Sequence, residues 1–343
     1  MTASHVSATA TYAGSIDRFA AHFACQITGL PEDVMLLGWS AEDQAWFCAP
    51  EAITRTPVFQ HRIPPTLHFL TSHVVPALPM RTFWTLLCLS DGWRERNLYS
   101  DNYCWVDSSG LERMAKWQGE PGEMPILSPQ RRWLACYGAH RGDPSAFLLP
   151  EAHYLINGFY EDMFLSIRGH RVPWRQRQSR AIYCAGNHGE VTNFLPPLDP
   201  TRPHPRLYLQ QVVATSGLNA DIHLGQHIPH RQQLGYKYIL DVDGFARTWD
   251  AWAWKMQSGS TVLSATSPWE SFFTRLFQPW QHYVPVANDF SDLGEKLAWC
   301  IEHDTQCEDI ARGAHARAKE VYRPDYAACI LAADWANRMS QDR

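Results

Sequence analysis

A chain of 343 residues exceeds what one ordinary hydrophobic core organises and suits two domains of roughly 150 residues each. With 45% hydrophobic and 19% charged residues it has the make-up of a compact globular protein, and it contains no run of about 18 apolar residues that could cross a bilayer as a helix. The formal net charge is −5 and Lys and Arg form no dense stripe, which argues against a nucleic-acid partner, because phosphate backbones require concentrated positive charge.

Residues 1–35 are a mixed lead-in whose opening, MTASHVSATATYAGSIDRF, lacks the charged region and apolar core of a secretory signal. The nine cysteines show no CxxC pair and are odd in number, which predicts reduced thiols in a cytoplasmic protein. Residues 36–170 are rich in Trp and Phe, with strands predicted at 82–89 and 133–137. The segment RVPWRQRQSR at 171–180 is polar, basic and Pro-containing, and predicts a linker. A second α/β region starts at 181–184 and runs to about 286, with an irregular loop at 195–205.

Within it, apolar runs at 238–242, 261–263 and 283–286 alternate with helix-length segments and end in Asp, Gly, Ser or Asn. That is the pattern of parallel strands feeding ligand loops. A helix is predicted after an N-cap at Ser291, with Leu293, Leu297, Cys300 and Ile301 on one face. A second, over 304–322, would bury Cys307, Ile310, Ala311, Ala314, Ala318 and Val321, and a last one is predicted over 326–339.

Four blocks in the second region carry a more specific signal: KYILDVDG at 237–244, WKMQSGSTVL at 254–263, Trp269-Glu270 with Phe272-Phe273, and QPWQHYVPV at 278–286. Upstream, LCLSDG (87–92), LLPEAHYL (148–155), PWRQRQSRAIYCAGNHG (173–189) and HPRLYL (204–209) continue it in order. The chain resembles glycosyltransferase family 90, the family of protein O-glucosyltransferases and capsule-associated proteins, and, departing from its secreted animal members, looks more like its short bacterial members. The resemblance implies an α/β, GT-B-type fold of two Rossmann-like lobes with a cleft between them. The first lobe, 1–170, would lie on the acceptor side and carry the base; 171–325 would bind the donor; 326–343 would pack back on the first lobe. It further implies a UDP-sugar donor, inversion at the anomeric carbon, no metal or other cofactor, and a glycan or lipid-linked glycan acceptor such as a lipopolysaccharide or capsule precursor. The setting implied is the cytoplasm, with peripheral association at the inner face of the membrane.

An inverting transferase needs a carboxylate base for its acceptor hydroxyl. Asp91 ends an apolar run just before Gly92 and matches the family's catalytic aspartate; the alternative is a plain Ser-Asp-Gly turn. Trp93 beside it is a candidate acceptor-side residue. The leaving diphosphate gathers negative charge, which backbone N–H groups and cations must stabilise. Candidates are the turns Gly186-Asn187 and Ser258-Gly259-Ser260 and the side chains of Arg206, Arg247 and Lys255. Arg206 aligns with a family arginine that holds donor phosphate, against the alternative of a solvated surface residue. Many relatives read Trp-Arg-Gly where this chain has Cys184-Ala185-Gly186, and Arg247 or Lys255 would replace that lost cation.

Nucleotide recognition is expected from the loop Asp243, Gly244, Phe245, Arg247, Thr248 and Trp249, and from Glu270, whose alternative is a carboxylate favoured by a helix dipole. Trp174, Trp280, Trp299 and Trp335 are expected to be packing residues. Asp241-Val242-Asp243 resembles a metal-holding DxD tripeptide, but the family resemblance points to metal-independent chemistry. His223, His227 and His230 have helical spacing for a zinc site, interrupted by Gly225 and Pro229. The rival function is a non-catalytic nucleotide- or carbohydrate-binding protein of the same fold.

Overall fold

The computed structural model describes residues 34–49, 61–77, 82–92, 134–143, 146–189, 193–195, 199 and 201–341, together with short strands at 11–12, 103–106 and 112–115. They divide into two compact units. One holds the sheet built before Ile156 together with the last helix, Pro324–Gln341; the body of the other is Asn157–Arg323.

In the first unit, strands β1 (Thr11–Tyr12), β2 (Val34–Ser40), β3 (Ala45–Ala49), β4 (Phe83–Cys88), β5 (Leu134–Cys136) and β6 (Ala146–Leu148) form one sheet in the order β1-β3-β2-β4-β5-β6. This sheet is mixed rather than wholly parallel: β2 runs antiparallel to β3 and β4, while β4, β5 and β6 run parallel. The last helix closes over it, with the Trp335 ring meeting Phe83 at 5.1 Å and Phe147 at 5.3 Å, edge to face. Helix α1 (Ile63–Phe69) starts on prolines, which tolerate a first turn because their missing N–H is an orphan there anyway.

The second unit is a parallel sheet of β7 (Gln178–Ala185), β8 (Ala220–Leu224), β9 (Tyr236–Asp241), β10 (Thr261–Ala265) and β11 (Val284–Val286), ordered β8-β7-β9-β10-β11. Strand β10 is buried along its whole length and β9 along all but its first residue, as strands covered on both faces must be. Helices α2 (Glu161–Gly169), α3 (Pro205–Ser216), α4 (Ala251–Gln257), α5 (Leu293–Glu302) and α6 (Asp304–Val321) complete it. Leu209 and Val213 of α3, Leu297 and Cys300 of α5, and Cys307, Ile310 and Ala311 of α6 pack with Tyr183, Leu240 and Leu263 of the sheet. The α/β class, the parallel Rossmann-like sheet and the closing helices are those expected of a GT-B-type chain.

The segment 171–180 is not a free linker. Trp174 and Arg177 are buried, β7 already begins at Gln178, and the division between units falls after Ile156, so α2 belongs to the second unit. A basic, Pro-containing stretch reads as a linker, but here its arginine fork is used inside: Arg177 Nε donates to Val172 O at 2.8 Å. Residues 220–224 form a strand and His230 starts a separate short turn of helix, so the three histidines share no helical face. The helix after Ser291 takes Asp292 as its N-cap, because the Ser291 hydroxyl is bonded to Asp289. Among the described residues no helix is long and apolar enough to cross a membrane.

Candidate donor site at the switch point of the parallel sheet

In a sheet of this order the direction of strand succession reverses between β7 and β9, and the loops leaving their carboxyl ends diverge to opposite faces. The crevice so made is where open α/β sheets take ligands. The pairs Ala181–Tyr238 and Ile182–Ile239 set the register, which carried on brings Cys184 level with Asp241 and Ala185 level with Val242. The crevice is therefore bordered by Gly186 and Asn187 on one side and Val242, Asp243 and Gly244 on the other.

Arg206 bridges the two borders. Its Nε donates to Asp243 O at 3.1 Å and one terminal nitrogen donates to Gly186 O at 3.1 Å. The same nitrogen lies 3.1 Å from His188 Nε2, and the His188 ring stacks on Phe245 with centroids 5.0 Å apart. Both glycines are needed for this. A Cβ on Gly244 would stand 2.5 Å from Arg206 Nη2, and one on Gly186 would stand 2.4 Å from His188 Cε1. Arg206 is in the first turn of α3, whose N-cap, His204, accepts from Leu207 N through Nδ1 at 3.4 Å. Burial, and then the Arg206 charge, lower the pKa of His204, which keeps Nδ1 free to accept. The amino end of a 12-residue helix thus adds its partial positive charge to the guanidinium.

Arg247 and Lys255 are committed elsewhere. Lys255 Nζ donates to Asp241 Oδ1 at 2.7 Å, Arg247 Nη2 donates to Asp241 Oδ2 and to Ser264 Oγ, and Arg247 Nε lies 3.5 Å from Asp243 Oδ1. Burial opposes ionisation of Asp241, but the two cations outweigh it and hold its carboxyl far below the ordinary carboxylate range. Asp243 differs: burial pushes its carboxyl up despite Arg247, and Ser267 Oγ donates to its Oδ2. The cations expected to replace the family arginine at Ala185 instead neutralise this pair of carboxylates. Thr248, buried beside them, has no hydrogen-bond partner for its Oγ1 among the described residues.

Two asparagines lace the loops together. Asn193 donates to Gly244 O, accepts from Trp269 Nε1 at 2.7 Å, and its carbonyl accepts from Asn288 Nδ2 at 3.1 Å. Asn288 also donates to Thr266 O and accepts from Leu195 N at 2.6 Å. Loops following β7, β9, β10 and β11 are thereby tied to one another. The sequence pattern singles out neither residue as part of the site, although Asn288 stands just past the apolar run 283–286.

The Ser258-Gly259-Ser260 turn is not with these residues. It leads into the first residue of β10, and Ser260 Oγ donates to Tyr236 O at 2.8 Å, the opening residue of β9. At about 3.3 Å per residue, that end lies roughly 16 Å from Asp241. The turn is buried and serves packing: Arg177 donates to Ser260 Oγ at 2.6 Å and to Ser258 O at 3.0 Å, and Gly259, at φ +71°, lies against Arg171. A Gly flanked by serines looks like an anion cradle in sequence, and only the strand direction reveals which end it occupies.

Glu270 is half-buried in a short extended piece, Trp269–Ser271, rather than at a helix N-terminus. Trp249 is 53% exposed at the lip of the loop after β9, whereas Trp252 and Trp254 are buried. Trp280 is 45% exposed, meeting Trp299 edge to face with Lys296 Nζ 5.5 Å from its ring centroid, so it is not the core residue expected. Trp174 and Trp335 are core. His230 stacks on Trp254, and burial lowers its pKa.

In the first unit, Asp91 sits at the carboxyl end of β4 in a turn that Ser90 closes by donating to Gly92 O at 3.1 Å. Its carboxylate is held by a buried arginine that the sequence did not flag: Arg62 Nη2 donates to Asp91 Oδ1 at 2.7 Å, and Nη1 to Leu89 O at 2.7 Å. Trp93 lies outside the described residues.

Comparison with known proteins gives these residues a family. The model for glycosyl transferase family 90 matches residues 159–332, just over half of the chain. Human protein O-glucosyltransferase 3 is 34% identical over 94 residues, 27% of this chain and 18% of that protein. Rat protein O-glucosyltransferase 1 is 28% identical over 169 residues, 45% of this chain and 39% of that one. The matches thus span well under half the length of these relatives. Among solved structures, Anabaena Alr3699/HepE in complex with UDP-glucose is similar over 54% of this chain and 55% of that chain, at 12% identity and a TM-score of 0.32. By the match over the parallel-sheet unit, the chain belongs to glycosyl transferase family 90.

Proposed function

We propose that the chain is an inverting glycosyltransferase that moves a sugar, glucose or xylose, from a UDP-sugar to a hydroxyl of a glycan or of a lipopolysaccharide or capsule precursor. Its reading rests on Arg206, a guanidinium fixed across the switch point of the sheet at the amino end of α3, where a diphosphate meets two sources of positive charge. The names of the curated relatives denote glucosyl transfer, which favours glucose. Gly186, Asn187 and Gly244 border the diphosphate, Thr248 offers it a hydroxyl, Trp249 offers a face to uracil, and Glu270 accepts from ribose. Transfer needs no metal, because Asp241 and Asp243, the carboxylates a cation would require, are bound by Lys255, Arg247 and Ser267. The enzyme works in the cytoplasm, at the inner face of the membrane that carries its acceptor.

In the reaction, Asp91 takes the proton of the acceptor hydroxyl as that oxygen bonds to the anomeric carbon. The bond from that carbon to the β-phosphate breaks, and UDP leaves with the electron pair. Positive charge at the diphosphate stabilises the departing group. The experiment is a thermal-shift panel of UDP-sugars on the purified chain, followed by UDP release from the stabilising sugar nucleotide in the wild type and in Asp91→Asn. Stabilisation by one UDP-sugar, with release lowered about 10²–10⁴-fold in the variant and UDP affinity unchanged, is expected. Stabilisation without release by either protein identifies a binding protein of the same fold, and wild-type release by Asp91→Asn removes that residue from the chemistry.

A further inference from the structure

We propose that Arg62 is a positioning residue for the catalytic carboxylate, an inference that rests on Asp91 being the base. The side chain of Arg62 is 5% exposed and that of Asp91 19%, and the two arms of the guanidinium are separately engaged. One arm donates to Asp91 Oδ1 at 2.7 Å and the other to Leu89 O at 2.7 Å. A planar fork bound at both ends fixes the carboxylate relative to the end of β4 and opposes its rotation. An ammonium on a flexible stem cannot do this, since it binds as a point charge.

The fork is itself anchored. Arg62 stands at the N-cap of α1, and its carbonyl accepts from Thr66 Oγ1 at 2.7 Å. Thr66 Oγ1 is 2.8 Å from the hydroxyl of Tyr137, directly after β5, and the guanidinium lies 6.0 Å from the centroid of that ring. Burial pushes the Tyr137 phenol up to about 12, so it stays a neutral hydrogen-bonding partner throughout the working range. Asp91 is therefore referenced to two strands and a helix of its unit, although it lies in a Ser-Asp-Gly turn. Proton transfer from a hydroxyl requires this, because a misplacement of about 1 Å at a reacting group can cost on the order of 10²-fold in rate.

The test compares the wild type with Arg62→Met, Arg62→Lys and Asp91→Asn in the full chain. UDP release is followed from UDP-glucose and UDP-xylose with water as the acceptor, alongside the UDP dissociation constant and the melting temperature. For Arg62→Met, kcat is expected to fall about 10²-fold while KM for the UDP-sugar and UDP affinity stay unchanged. Arg62→Lys should recover part of that loss, because the charge is kept and the fork is not. A folded Arg62→Met with wild-type kcat, or a loss expressed only in KM, overturns the proposal. Should Arg62→Met not fold, Arg62→Lys decides: a lowered kcat at unchanged melting temperature supports positioning, and a wild-type kcat refutes it. Full turnover by Asp91→Asn would instead show that the base was misassigned, and the role of Arg62 falls with it.

Discussion

Replacing Asp241 by Asn tests the electrostatic floor of the candidate donor site. In the wild type one carboxylate faces Lys255 and Arg247, and the side chains of the three residues are only 6%, 4% and 9% exposed. The amide keeps the shape and one acceptor oxygen but leaves two buried cations without their counter-charge. Breaking a buried pair by removing one partner costs about 3–5 kcal/mol. For a unit of this size each kcal/mol is worth about 2–4 °C, so the melting transition of the second unit should fall by about 6–20 °C. Differential scanning calorimetry measures this directly, and the pH dependence adds a check on sign. A carboxyl depressed in the folded state stabilises above its unfolded pKa and loses that contribution as pH falls through its folded value, which for Asp241 lies well below the ordinary carboxylate range. The gap between wild type and Asp241→Asn should therefore be full near neutrality and narrow steadily below about pH 4. A variant melting within about 2 °C of wild type at neutral pH, or a gap that widens on acidification, would refute the reasoning.

Gly244→Ala places a methyl 2.5 Å from the Arg206 guanidinium, which must withdraw from Asp243 O and Gly186 O. UDP affinity by calorimetry should drop about 10-fold or more, with little change in melting temperature because the displaced group is the end of a flexible side chain. Ser260→Ala should cost about 1–3 kcal/mol by stranding a buried guanidinium N–H of Arg177, while UDP affinity stays unchanged; weakened UDP binding would return the turn to the donor site. UDP release should continue in excess EDTA, and strict dependence on added Mn²⁺ would mean that Asp241 and Asp243 surrender their partners to a metal.

Much of the second unit was legible because parallel strands are continuous apolar runs with punctuated ends. The runs at 238–242, 261–263 and 283–286 became Tyr236–Asp241, Thr261–Ala265 and Val284–Val286, and all six residues expected to be buried in the helix from Asp304 are buried. Strand β8 escaped notice, since ADIHL has too little apolar character on a sheet edge. Site residues were legible by type more than by role. Arg206 and Gly244 are together, but a charge motif does not reveal whether a cation faces a ligand or a neighbour. Arg247 and Lys255 turned inward to Asp241 because two buried aspartates, at and just past the end of β9, demand counter-charge, a constraint visible only once Asp241 is known to be 4% exposed. Arg62 was invisible for a related reason: its partner lies 29 residues away.

The lacing by Asn193 and Asn288 bears on how a ligand would arrive. Asn193 joins Gly244 O to the Trp269 indole and Asn288 joins Thr266 O to Leu195 N, so displacing one of these segments strains the rest. Their conformational freedom is surrendered when the protein folds, leaving little to lose at the moment of encounter. Sugar nucleotides would then meet a surface shaped in advance. Association near that surface should be quick and weakly temperature-dependent, and any slow closing motion would have to be made by other parts of the molecule.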